Sequence, residues 1–278
     1  VTDSVGDVPA NVARELGIRV VPLSIIFGNE SFLDGVDLDA SSFYAKLKTS
    51  SVMPSTSQPA PAAFMQVYNE LLREHDYIFS IHASSELSGT YQRAMLARAE
   101  VSPEKVEVVD SRLATVCQAF VVIEAARAVM RGAGVDEVRR RIGEVMASVR
   151  LLFVVDTLEY LQKNGRIGKA ASLVGALLSL KPILTLEDGV VAAREKVLGS
   201  RKAFSRVIQL MKEEIGSTPI SVMAVHCAAP EKAAQLVQEV AANFNCVEIG
   251  VTDAGPVIGA HAGPGAAGIA WHTVSARG

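Results

Sequence analysis

The stretch DYIFSIHASSELSGTYQRAMLARAE, residues 76–100, decides how this chain is read. DYIFSIH has the pattern of a buried strand, and TYQRAMLARAE carries apolar residues at helical spacing. Between them HASSELSG supplies a polar turn, and VEVVDS, further on, reads as the next strand. The same alternation continues in both directions. Upstream lie a short strand at VTDS, a helix over Pro9–Leu16 and the strand-rich IRVVPLSIIF. A loop at GNESFLDGVDLD follows, then helices at SSFYAKLK and AAFMQVYNELLRE. Downstream, helices are predicted over Ala114–Met130 and Val135–Ser148. Strands alternating with helices predict a mostly parallel α/β sheet for an N-terminal domain, residues 1–150.

Residues 151–278 read differently, as an α+β domain with a mixed or antiparallel sheet. LLFVVD is a strand, TLEYLQKN a helix stopped at Gly165, and AASLVGALLSL a largely buried helix. PILTLEDGVVAAREKV predicts two strands around Asp188-Gly189, a strong hairpin signal. A helix over Lys202–Ile215, the strand SVMAVHC, a helix over Glu231–Phe244 and the strands VEIGV and IAWHTV complete the pattern.

Composition narrows the function. Hydrophobic residues make up 49% of 278 positions and charged ones 21%, enough for a sizeable globular core. A formal charge of −3 gives no general attraction to nucleic acid or an anionic membrane. The longest mostly apolar stretch, Ala170–Leu180, is too short to span a bilayer. No basic-then-apolar leader precedes the first strand, where a few residues are expected to have been trimmed. Cys117, Cys227 and Cys246 are scattered, with no C-x-x-C, and no histidine pair has helical metal-ligand spacing. Buried inert thiols, a cytoplasmic location and no metal or cofactor are the expectation.

Three polar segments carry the chemistry. A strand-to-helix turn leaves the first helical amides unpaired at the positive end of the dipole. At SSELSGT, Ser84, Ser85, Ser88 and Thr90 add hydroxyls, and Gly89 lets backbone approach a ligand. Such a turn suits a carboxylate or phosphate oxygen, whereas plain capping needs only one hydroxyl. PSTSQPAPAAF places Ser55, Thr56 and Ser57 before a second helix. In VIGAHAGPGAAGIAW, His261 sits among glycines and can donate a hydrogen bond in either protonation state. Gly263, Gly265 and Gly268 spell G-x-G-x-x-G, but Pro264 interrupts the motif and no βαβ unit follows, so a nicotinamide site is rejected.

Taken in order, these segments resemble the DegV family of bacterial fatty-acid-binding proteins, nearly end to end. The matching stretches are TDS at Thr2–Ser4, STSQP, SSELSGTYQ, VVDS, LEYLQKNGRIGKA, LKPIL and GAHAGPGA. The resemblance implies a long-chain fatty acid such as palmitate, lying in a tunnel between the two domains. It implies Thr56 and Ser88 as carboxylate donors, His261 completing the network, and Ser57, Gly89 and Thr90 as the surrounding wall. It further implies a carrier without chemistry of its own, presenting the acyl group to a fatty acid kinase that phosphorylates it. Arg166, Lys169 and Arg201 fall at partner-contact positions, although Leu198 and Ser200 stand where the family commonly has arginine.

The energetics suit such a ligand. Each good hydrogen bond to a carboxylate is worth roughly 1.5–3 kcal/mol, whereas acyl burial adds about 0.8 kcal/mol per methylene. Two rival readings stand beside it. A hydrolase or thioesterase would use Ser88 as nucleophile and His261 as base, with Asp253 the nearest orienting acid in sequence, but G-x-S-x-G is lacking. A phosphometabolite binder would use the same amide-rich turns.

Overall fold

The computed structural model describes residues 1–175 and 180–274, apart from the side chains of Leu180, Ser200 and Arg201. The chain opens with β1 (Thr2–Asp3), α1 (Ala10–Glu15), β2 (Val20–Val21), β3 (Ser24–Phe27), β4 (Glu30–Leu33) and α2 (Ala40–Thr49). There follow β5 (Ser55–Ser57), α3 (Pro61–Leu71), β6 (Ile78–His82), α4 (Thr90–Val101), β7 (Val106–Asp110), α5 (Thr115–Met130) and α6 (Val135–Ser148). Next come β8 (Arg150–Val154), α7 (Glu159–Lys163), a 3-10 helix (Gly168–Leu173), β9 (Leu180–Glu187), β10 (Val190–Leu198) and α8 (Ser200–Ile215). The chain closes with β11 (Ile220–His226), α9 (Pro230–Asn243), β12 (Cys246–Asp253), α10 (Pro256–Ala262) and β13 (Ala267–Thr273).

Three sheets result. A parallel sheet has the order β2-β1-β6-β7, and a small antiparallel one the order β4-β3-β5. The third has the order β10-β9-β8-β13-β11-β12 and is mixed, with β11 and β12 parallel and its other pairs antiparallel. The protein is therefore an α/β molecule with a parallel N-terminal sheet and a mixed C-terminal sheet.

Helix α5 is the middle layer. Every residue from Thr115 to Ala125 is buried, because the helix contacts β6 on one side and β13 on the other. On the far side of the parallel sheet, Phe64 and Tyr68 of α3 pack with Ala94 and Ala97 of α4. The mixed sheet splits its side chains by the period of two. Leu151 and Ala270 join the cluster around α5, whereas Leu152, Ile269 and Trp271 meet Phe204 and Met211 of α8.

The hairpin at Asp188-Gly189 forms as predicted, with both residues at positive φ (52° and 83°). Its tip docks on the β6–α4 turn, where the buried Ser84 hydroxyl donates to the Gly189 carbonyl at 2.7 Å. A Cβ at Gly189 would collide with Ser84 Oγ, and left-handed backbone costs other residues about 1–2 kcal/mol. Gly189→Ala is therefore expected to lower the urea midpoint measurably; an unchanged midpoint would show that the tip is not closely docked.

Four readings need correction. Residues 30–33, expected in a loop, form β4, whose side chains are mostly exposed and so show no buried alternation. Ser55–Ser57, a polar lead into the helix by sequence, form strand β5, held by backbone pairing of Thr56 with Ile25. The glycine-rich segment from Val257 is helical as far as Ala262, in α10, before the expected closing strand, β13; Pro256 starts the helix, and the lack of a Cβ at Gly259 lets it press against Phe43 and Tyr44. AASLVGALLSL begins inside the 3-10 helix and ends at the first residue of β9; its residues 176–179 lie outside the described residues.

Candidate functional site

The β6–α4 turn is fixed from below. Asp3, at the end of β1 and 1% exposed, accepts hydrogen bonds from the amides of Val5 and Ala83 at 3.0 Å. Its carboxylate also meets His82 Nδ1 at 2.8 Å and Gln118 Nε2 of α5 at 3.2 Å. One buried carboxylate thus ties β1, β6 and α5 together where the serine-rich turn begins. Within that turn the hydroxyls divide by task. Ser84 holds the hairpin, and Ser85 Oγ donates to Asp110 at 2.5 Å. Ser88 is left facing a cavity.

That cavity encloses about 960 Å³ of empty space, its open mouth included. Thr56 from β5, Ser88 from the turn and His261 from the last turn of α10 all line it. Much of the remaining wall is aliphatic, including Val5, Leu23, Leu161, Val257 and Ile258. Among the lining residues Arg166 is the one with a permanent positive charge.

The two hydroxyls are each backed by a second polar group. Thr56 Oγ1 lies 2.9 Å from His261 Nε2. Burial, with the Arg166 guanidinium nearby, pushes the imidazole down to about 4, so it is neutral at pH 7. With its proton on Nε2, His261 donates to Thr56 and leaves the Thr56 hydroxyl hydrogen free to point at an anion. Ser88 Oγ is 2.8 Å from the buried Thr90 Oγ1. A proton donated by Thr90 likewise frees that of Ser88. Each hydroxyl can therefore offer its own hydrogen to the cavity that both residues line. Nδ1 of His261 is buried without a protein partner, and Asp253 sits 3.3 Å from His226 instead. Ser88 Oγ bonds Thr90, and among the described residues no hydrogen bond joins it to His261 or joins Asp253 to His261.

Other expected residues are placed differently. Ser57 and Gly89 do not line the cavity; Ser57 pairs with Ser24 in the sheet, and a Cβ on Gly89 would touch the lining residue Gln58. Thr90 stands behind Ser88. Arg166, expected at a partner surface, is half-buried on the cavity wall and donates to Leu87 O at 3.1 Å and Asn164 O at 2.6 Å. Asn164 donates to Ala260 O at 2.9 Å, so this one loop holds both the Ser88 turn and the His261 helix. Lys169 is exposed and pairs with Asp188 at 2.7 Å. The Arg201 side chain lies outside the described residues. Gln58, adjacent to STS in the sequence, is the lining residue most open to anticipation.

A carboxylate cluster locks α10 in place. Asp7 accepts from Thr115 Oγ1 at 2.6 Å and from the Gly255 amide at 2.8 Å. Burial, reinforced by Asp34 and Asp253, pushes it up to about 8, and burial raises Asp34 to about 7. The folded chain therefore binds more protons here than the unfolded one, and this contribution to stability is lost as pH rises from about 4 to about 8. The stability difference between Asp7→Asn and the parent is expected to shift towards the variant over that range. A difference independent of pH would contradict this assignment.

Among the described residues no group of three or more His, Cys, Asp or Glu is arranged to hold a metal ion. Nor is any helix long and apolar enough to cross a membrane.

Comparison with known proteins agrees along the chain. A family model described as an uncharacterised protein of the DegV family matches residues 1–274. A DegV domain-containing protein of Halalkalibacterium halodurans is 39% identical over 274 residues, covering 98% of this chain and 97% of that protein. A solved DegV family protein from Thermus thermophilus, described by its fatty acid binding, superposes with a TM-score of 0.94 at 34% identity, covering 98% of each chain. DegV of Bacillus subtilis, described as a fatty acid binding protein, gives a TM-score of 0.90 at 32% identity, again with 98% coverage of each. Agreement of model, sequence and structure over nearly the whole length establishes that the chain belongs to the DegV family.

Proposed function

We propose that the protein binds a long-chain fatty acid, with its carboxylate at Thr56 and Ser88 and its acyl chain in the aliphatic cavity. The observation that carries this is the meeting of two hydroxyls, 32 positions apart in the chain, at one otherwise largely apolar cavity. His261 and Thr90 set the hydroxyl protons, and Arg166 supplies the nearby positive charge. Burial of about a dozen methylenes at roughly 0.8 kcal/mol each dominates affinity, while the polar end selects the head group. The fatty acid binding of the Thermus thermophilus and Bacillus subtilis relatives supports the reading.

On this reading the chain works as two domains, 1–150 and 151–278, with the ligand between them. It is a cytoplasmic carrier that presents the acyl group to a partner kinase for acyl-phosphate formation. The loop bearing Arg166 and the exposed Lys169, together with Arg201, is assigned to that partner. Carriage without catalysis fits Ser88 being bonded to Thr90. Mass spectrometry of small molecules released on denaturing the freshly purified protein tests the ligand class. Straight-chain acids at near one per chain are expected; a phosphorylated metabolite in their place would overturn the assignment.

A further inference from the structure

We propose that Leu151 and Leu186 form the floor of the cavity and set the longest acyl chain it accepts. This rests on the fatty-acid reading and adds to it the residues that limit chain length. The reason lies in a split in the mixed sheet. β8 pairs with β13 along Arg150–Val154, but with β9 only at Phe153↔Leu184 and Val154↔Ile183. Beyond those pairs the two strands part, and a second cleft opens between them, with about 2120 Å³ of empty space including its open mouth. Leu151 and Leu186 line both the cleft and the first cavity.

Their depth follows from register. His261 lies at the end of the sheet where β13 begins, close in sequence to Ala266. From there the lining steps from Cys227 and Ala266 to Gly268, which pairs with Phe153 and Val225. It then reaches Leu151, opposite Ala270. Four residues at about 3.3 Å each place Leu151 roughly 13 Å along the sheet from Ala266. Leu186 lies two residues beyond Leu184, the last β9 residue paired with β8, and lines the same two spaces as Leu151 from the other side of the split.

The cleft beyond is a poor continuation for an alkyl chain. Arg112, Glu187, Asp188, Arg194 and Glu214 line it, and it is open to solvent. A methylene pushed past the two leucines leaves apolar surroundings for charged and wet ones and gains nothing from burial. Leu186 is only half-buried, so its size can be changed with little damage to the core.

Affinities of the parent and two variants for saturated acids from lauric to behenic test the floor. In the parent, affinity is expected to climb about fourfold per methylene up to a limiting length and then stop climbing. Leu186→Ala moves that limit to longer acids, and Leu186→Phe moves it to shorter ones. Leu186→Val replaces the first variant if its melting temperature falls. A limit unmoved by every folded variant, in a parent that binds acids, overturns the floor alone. A parent that binds no acid at any length overturns the fatty-acid reading itself.

Discussion

Thr56→Val combined with Ser88→Ala is expected to weaken fatty-acid binding by roughly a hundredfold or more while leaving the melting temperature nearly unchanged. Each substitution removes one hydrogen bond to a charged carboxylate, worth roughly 1.5–3 kcal/mol, and 1.36 kcal/mol is a factor of ten. The two hydroxyls reach the cavity from separate elements, β5 and the β6–α4 turn, so neither loss is repaired by the other. Both residues are only partly buried, and Thr56→Val keeps side-chain volume, so the fold is spared. The acyl chain still finds its apolar walls, which is why binding weakens rather than vanishes. A fatty acid methyl ester provides the control: lacking a carboxylate, it should bind parent and variant almost equally. Affinity for the free acid unchanged in the double variant would remove the head-group site from the account.

Asp3→Ala is expected to cost about 3–5 kcal/mol of stability, the largest single effect on the fold. Its carboxylate is buried and serves Val5, Ala83, His82 and Gln118 at once. Truncation leaves two amides and two side chains without this acceptor, in a place water does not reach. The consequences extend to the site, because Ala83 leads directly into the turn that ends at Ser88. Urea denaturation with two probes, one global and one reporting ligand binding, should show both falling together. A loss below about 1 kcal/mol would mean that the surrounding donors find other partners.

Much of the fold was legible because its signals are local. The buried strand at 78–82, the amphipathic pattern of α6 with Val138, Ile142 and Val145 facing inward, and the Asp188-Gly189 hairpin each declare themselves within a few residues. The small antiparallel sheet was not legible. β5 is three hydroxyl residues whose strand character comes from pairing with β3, some thirty positions away, and composition alone reads such a segment as a turn. Helix α10 was hidden for a related reason. Its glycine is required by close packing against α2, not by a turn.

The site shows the same division. Clustered hydroxyls pointed to the right segments, but which serine serves the fold and which faces the cavity depends on tertiary partners. Ser84 and Ser85 are taken up by Gly189 and Asp110, leaving Ser88. Arg166 illustrates the limit most clearly. A basic turn suggests an outer surface, yet its guanidinium reaches inward to the Leu87 carbonyl and the cavity wall. No local pattern encodes that reach.

A bound acid is expected to place its polar end between Thr56 and Ser88. A crystal structure of the protein with palmitate is the most direct measurement. Expected is one carboxylate within hydrogen-bonding distance of both Thr56 Oγ1 and Ser88 Oγ, with the alkyl chain running from them towards Leu151. Palmitate with its carboxylate elsewhere, or lying outside this cavity altogether, would contradict it.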